Sequence, residues 1–165
     1  MRIMVIYDSL YGNTAKIAQA ISNEFSDIHG AEEDVQLHTI SEIEPGLLVG
    51  LDLLIVGSPT HKFRPSPTTS AFLKSLSKNA LKGTKVAAFD TRFTEEEIDS
   101  TGWFFSAMVG VFGFAAEPIA NRLQKKGGEL AIPAEGFYVD GFEGPLSEGE
   151  LERAAEWARQ ILPVR

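Results

Sequence analysis

The stretch VIYDSLYGNTAKIA, Val5 to Ala18, decides how the chain folds. Its first residues belong to the apolar run Ile3 to Tyr7, which has strand length and is apolar on both faces, the pattern of a strand buried within a parallel sheet. Its last residues open a helical period, because Ile17, Ala18, Ile21 and Phe25 fall on one face. Between them lies Ser9-Leu10-Tyr11-Gly12-Asn13-Thr14, a polar turn without a basic residue.

The same alternation of periods continues outward. Val35 to Ile40, Leu53 to Gly57 and Lys85 to Phe89 read as further strands, with the broken pair ELAIP (129–133) and GFYV (136–139) as a fifth. Phe72, Leu73 and Leu76 share one helical face. The last helix carries the stripe Leu151, Ala154, Ala155, Ala158 and Leu162, opened by Ser147 with Glu150 at capping-box spacing. Strand and helix alternating to the end predict an α/β fold: one domain over 1–165, a doubly wound, five-stranded parallel sheet with helices on both faces.

Composition excludes several function classes. A formal net charge of −8 leaves no basic face for nucleic acid. Zero cysteines exclude disulfides, thiol catalysis and cysteine-ligated metals, so any redox chemistry needs an organic cofactor. The N-terminus reads as a strand and not a signal peptide, and no apolar stretch is long enough to span a membrane as a helix, so the expected location is the cytoplasm.

In an open α/β sheet, ligands bind beyond the carboxyl ends of the strands, and the turn from the first strand into the first helix favours a phosphate. Helix N-termini hold anions without Lys or Arg. The hydroxyls of Ser9, Thr14 and Tyr11 and the Asn13 amide add donors there, and Gly12 allows close backbone approach. Read locally, the same residues make an ordinary turn with an N-cap. Neither G-x-G-x-x-G nor G-x-x-x-x-G-K-[ST] is present, so a neutral loop of this kind suits a monophosphate.

YDSLYGNTAKIAQAI (7–21) resembles the phosphate loop and first helix of the flavodoxin family, whose Ser/Thr-x-Thr-Gly-Asn-Thr loop holds the phosphate of flavin mononucleotide (FMN). Ser9, Gly12, Asn13 and Thr14 match that pattern, whereas Leu10 and Tyr11 replace its small hydroxyl residues. DLLIVGSPTH (52–61) is similar to the family's third strand with its first flavin-flanking loop, and KVAAFDTRF (85–93) to its fourth strand with the second. GPLSEGELERAAEWARQI (144–161) has the place of its last helix.

The resemblance implies a cofactor site built from Ser9 to Thr14, from Pro59, Thr60, His61, Lys62 and Phe63, and from Asp90, Thr91, Arg92 and Phe93. His61 falls where many members have a Trp, and Phe63 is the alternative stacking residue. The usual Tyr of the second loop has no equivalent at its normal spacing, which leaves Phe93 or Trp103 to cover the ring. Arg92 has two readings: a cation that stabilises reduced, anionic flavin, or a partner of Asp90 or the nearby glutamates.

The connection from Asp90 to Ala116 is long for a turn. Thr94 with Glu97 has capping spacing, and the acidic run 95–99 is a solvated face or a guide for a basic redox partner. The apolar segment Trp103 to Phe114 is a buried helix, a lid over the flavin, a partner site or a homodimer contact.

The leading function is an FMN-binding electron-transfer protein that passes electrons to a redox partner protein or a small-molecule acceptor, with no catalytic side chain and no metal. The alternatives are an FMN-dependent oxidoreductase taking electrons from NADH or NADPH for a quinone-like acceptor, and a binding module that has lost FMN. A phosphoacceptor receiver domain is disfavoured: it needs an acidic pair after the first strand and an Asp ending the third, where this chain has Asp8 alone and Ser58-Pro59.

Overall fold

Alternate residues of the central strands feed two separate cores, and this places helices on both faces of the sheet. In the computed structural model, which describes residues 1–29, 34–94, 102 and 113–162, the strands are β1 (Arg2–Tyr7), β2 (Asp34–Thr39), β3 (Leu53–His61), β4 (Arg64–Pro65), β5 (Lys85–Phe93), β6 (Glu129–Leu130) and β7 (Glu135–Val139). The helices are α1 (Asn13–His29), α2 (Pro67–Ser75), α3 (Ala116–Lys125) and α4 (Glu150–Ile161), with two 3₁₀ turns at Ile40–Glu42 and Pro45–Leu48. The parallel sheet runs β2-β1-β3-β5-β6, with β7 also pairing with β5 and the short β4 antiparallel to β3.

Ile3, Val5, Leu53, Ile55, Ala87 and Phe89 pack against Ile17, Ile21 and Phe25 of α1 and Trp157, Ala158 and Ile161 of α4. Met4, Ile6, Leu54, Val56, Val86 and Ala88 face the other way, onto Phe72, Leu73 and Leu76 and onto Ile119 and Leu123 of α3. The two-sided apolar runs read in the sequence are the cause of this double winding.

Three expectations are corrected. β3 continues through Ser58, Pro59, Thr60 and His61, and β5 through Asp90 to Phe93, so the two expected flanking loops are largely strand. Past the Tyr7–Gly57 pair β1 has ended, and a proline is tolerated on the edge that β3 then exposes. The broken fifth strand is present as read, with β6 against the start of β5 and β7 against its end. Gly149, at φ 83°, is the N-cap of α4, and no side chain caps it; the Glu150 carboxylate instead accepts the Tyr138 N–H at 2.7 Å. Leu151 points outward at 44% exposure, and Trp157 and Ile161 take the buried face with Ala154 and Ala158.

No described helix is long and apolar enough to cross a membrane. Trp103, the acidic run, the Thr94–Glu97 cap and most of the apolar segment proposed as lid or dimer contact lie outside the described residues.

Candidate functional site

Register creates the site. Tyr7 pairs with Gly57 and Gly57 with Phe89, so β3 and β5 both project past the end of β1. Over that step the chain turns through Asp8 to Gly12 into α1, leaving a cavity of about 340 Å³ between the turn, the two strand ends and the segment after β7. That volume lies within the range of small-molecule pockets, roughly 300–1,000 Å³.

Local chemistry fixes the turn. Gly12 adopts φ 88°, a left-handed conformation that a side chain resists. Its N–H donates to Ser9 Oγ at 3.1 Å, and its carbonyl accepts the first helical bond, from Lys16 N at 3.1 Å. The N–H groups of Asn13, Thr14 and Ala15 thus stand in the first turn of α1, where helix geometry gives them no intrahelical acceptor. Together with the helix dipole they suit an anion without a basic side chain.

Thr14 and Thr91 are both buried, and their hydroxyls lie 2.8 Å apart. The pair holds two protons and shares one, so the other remains available for donation. Thr60 Oγ1 accepts the Ala115 N–H at 3.1 Å, which leaves its own proton for an acceptor in the cavity.

At the end of β3 the chain reverses through Lys62 and Phe63, with Thr60 pairing with Pro65 and His61 with Arg64. Both turn residues have positive φ, 47° and 65°, the conformation of the tightest hairpin turns but one usually assigned to Gly and Asn. The reversal is anchored by Ser58 Oγ, which accepts the Ser66 N–H at 3.0 Å. His61, Lys62 and Phe63 are thereby held on the cavity wall with Pro59.

Arg92 resolves into its structural reading. Its Nε and Nη2 donate to the two Asp90 carboxylate oxygens at 2.7 and 2.8 Å, and Glu117 lies 3.9 Å away. The guanidinium carbon sits 3.9 Å from the Phe114 ring centroid, and a Cβ on Gly136 would come within 2.1 Å of Arg92 Nε. The cation is neutralised and sandwiched, although its stem borders the cavity. Asp90 is fully buried. Burial pushes its carboxyl above the ordinary value of 3.8, and the Arg92 guanidinium and the Ala116 N–H at 2.8 Å offset part of that rise.

Ser9, Leu10, Tyr11, Asn13, Thr14, Pro59, Thr60, His61, Lys62, Phe63, Thr91, Arg92 and Phe93 all line this one cavity. Gly12 shapes the turn without lining it, and Asp90 sits beneath it as the Arg92 partner. Asn13 lines the cavity and also makes a structural contact: its Nδ2 donates to the Glu143 carbonyl at 3.0 Å and so ties α1 to the β7–α4 segment. Sequence reasoning missed Phe114, Val139 and Phe142. The signal for Phe142 was available, as an aromatic residue between Gly141 and Gly144 just past a strand's carboxyl end.

The lining is mostly apolar, with aromatic rings, and hydroxyls and a helix N-terminus gather at one end. That combination fits a flat ring system carrying a phosphate tail, and FMN has this chemistry.

The family model for Flavodoxin matches residues 5–157. Among solved structures, a flavodoxin from the domain Archaea aligns with TM-score 0.72 and 21% identity, over 98% of this chain and 96% of that one. Flavodoxin 2 from Bacillus cereus gives 0.70 and 23%, over 98% and 97%. The rubredoxin:oxygen oxidoreductase of Desulfovibrio gigas gives 0.69 and 18%, with 97% of this chain covering 35% of that larger one. At these identities the likeness is one of fold. Among curated proteins no sequence matches.

Proposed function

The chain belongs to the flavodoxin family, and from that premise we propose that it binds FMN in this cavity and works as an electron carrier. The observation that carries the reading is the placement of the α1 N-terminus and the Thr14–Thr91 hydroxyl pair at one end of an otherwise apolar, aromatic-lined cavity. The chemistry supplied there is electron transfer by the flavin ring, which a chain without cysteine needs from an organic cofactor.

The protein's part is binding and field. The first turn of α1 with Ser9 and Thr14 holds the phosphate, and the ends of β3 and β5 flank the ring and keep water from it. Arg92 is engaged by Asp90 and Glu117, so its charge is already compensated and does little to offset negative charge that develops on reduction. In a protein of net charge −8 the site favours the uncharged flavin and drives electrons outward. The same acidity suits a redox partner protein with a basic face.

With its Nε and Nη2 turned to Asp90 and Glu117, Arg92 offers little to a substrate, and this weighs against the reductase alternative. The experiment is a titration of the apoprotein with FMN, followed by stopped-flow reduction and reoxidation with NADPH and a quinone. A carrier binds FMN tightly and turns over nicotinamide negligibly, whereas rapid NADPH consumption identifies a reductase.

A further inference from the structure

Three walls of the cavity come from the turn after β1 and the projecting ends of β3 and β5. A further aromatic side chain reaches the same cavity from the β7–α4 segment. Phe142 sits at the tip of a short excursion bounded by Gly141 at φ 89° and Gly144 at φ 99°. The excursion is closed at its base: Asp140 N donates to the Pro145 carbonyl at 2.8 Å, Val139 bridges Leu146, and Ser147 Oγ donates to Asp140 Oδ1 at 2.5 Å.

It is also held from the opposite side. Asn13 Nδ2 donates to the Glu143 carbonyl at 3.0 Å, and a Cβ on Gly144 would meet Asn13 Nδ2 at 2.5 Å, so the backbone lies directly on the Asn13 amide. The first residue of α1 therefore sets the height of this wall. The Phe142 ring lies 6.0 Å from that of Tyr11 at 61° and 6.2 Å from that of Phe93 at 32°. It thus links the phosphate-side turn to the end of β5, and yet 75% of it is exposed. Large apolar side chains are rarely so exposed together unless they meet something; Leu10 at 60% and Tyr11 at 49% adjoin the same mouth.

We infer that Phe142 is a ring-contact residue, the side chain against which the flavin ring packs on the β7–α4 side, and that the Asn13 side-chain amide is its positioning group. This rests on the proposal that the cavity binds FMN. Burying one aromatic face against another is stabilising beyond the area removed from water. A rigid wall whose backbone is fixed at both ends loses little entropy when the ring arrives. Because the contact is with the ring, its contribution is the same whether or not the ligand carries a phosphate.

The test measures dissociation constants of FMN and of riboflavin for the wild-type chain and for Phe142→Ala, Phe142→Tyr and Asn13→Ala, following the visible absorption of the flavin. Phe142 is exposed, so its variants fold, and their thermal midpoints are recorded alongside. Phe142→Ala is expected to bind both flavins roughly tenfold more weakly. Phe142→Tyr restores most of that loss, and Asn13→Ala weakens both ligands by a similar, smaller factor. Unchanged affinity in Phe142→Ala overturns the inference while leaving the FMN site standing, and so does a loss for FMN alone, which shows an effect relayed through the phosphate turn. A wild-type chain that binds neither flavin overturns the FMN reading and this contact with it.

Discussion

The hydroxyls of Thr14 and Thr91 meet at 2.8 Å, joining the first turn of α1 to the projecting end of β5 across 77 residues of sequence. Both side chains are buried, so neither hydroxyl finds water as a substitute partner. The bond fastens the turn after β1 to one wall of the cavity.

Thr14→Val removes one hydroxyl and strands the other. We expect stability to fall by about 1–3 kcal/mol in urea unfolding, the cost of an unsatisfied buried hydroxyl. FMN binding weakens by about 1–3 kcal/mol as a charge-assisted donor is lost. Riboflavin affinity, measured in the same calorimetric titration, changes less; equal losses for the two ligands contradict a phosphate site at this turn.

Breaking the Asp90–Arg92 pair exposes its electrostatics. In Arg92→Gln the buried carboxylate loses its bidentate partner, which at neutral pH costs about 3 kcal/mol. The sign with pH follows from burial: the folded protein holds the Asp90 proton more tightly than the unfolded chain. That contribution to stability is fully present below the ordinary value of 3.8 and is lost as pH rises through the raised folded value. Without Arg92 the rise is larger. Thermal midpoints of variant and wild type therefore converge in acid and separate as pH increases; a constant gap contradicts the account.

Gly136→Ala tests the sandwich from the other side. Its Cβ would overlap Arg92 Nε at 2.1 Å, and moving the guanidinium breaks the Asp90 pair. The expected destabilisation is about 1–3 kcal/mol. In an Arg92→Ala background the obstruction is gone, so the cost of the alanine shrinks, and a double-mutant cycle reads the coupling.

The hairpin at Lys62 and Phe63 stores backbone strain beside the cavity. With φ 47°, Lys62→Gly relieves the left-handed penalty and stabilises the fold by about 1 kcal/mol. Chemical denaturation detects the gain; a loss of stability shows instead that the Lys62 side chain contributes more than its backbone costs.

The sheet and the turn after β1 were legible because they are written in local chemistry. Two-sided apolar runs specify buried parallel strands, and Gly12 between hydroxyl residues specifies a left-handed turn feeding a helix. The extent of β3 was not legible, since Ser58-Pro59-Thr60 reads as a loop until the ending of β1 supplies a free edge. The contact of Asn13 with the Glu143 carbonyl was not legible either, since the two lie 130 residues apart. Arg92 offered two readings that only the position of Asp90 two residues earlier on the same strand, with Gly136 beside it, could separate. Glycines such as Gly57, where a Cβ would come within 2.1 Å of the buried Phe89 ring, carry a tertiary constraint that no sequence window contains.

The central claim, an FMN site in this cavity, is tested most directly by the visible absorption spectrum of the purified protein before and after incubation with FMN and removal of the excess. The account predicts a flavin spectrum retained through desalting, at one flavin per chain. A protein that stays colourless after incubation contradicts it, and leaves the turn after β1 as a feature of the fold without its ligand.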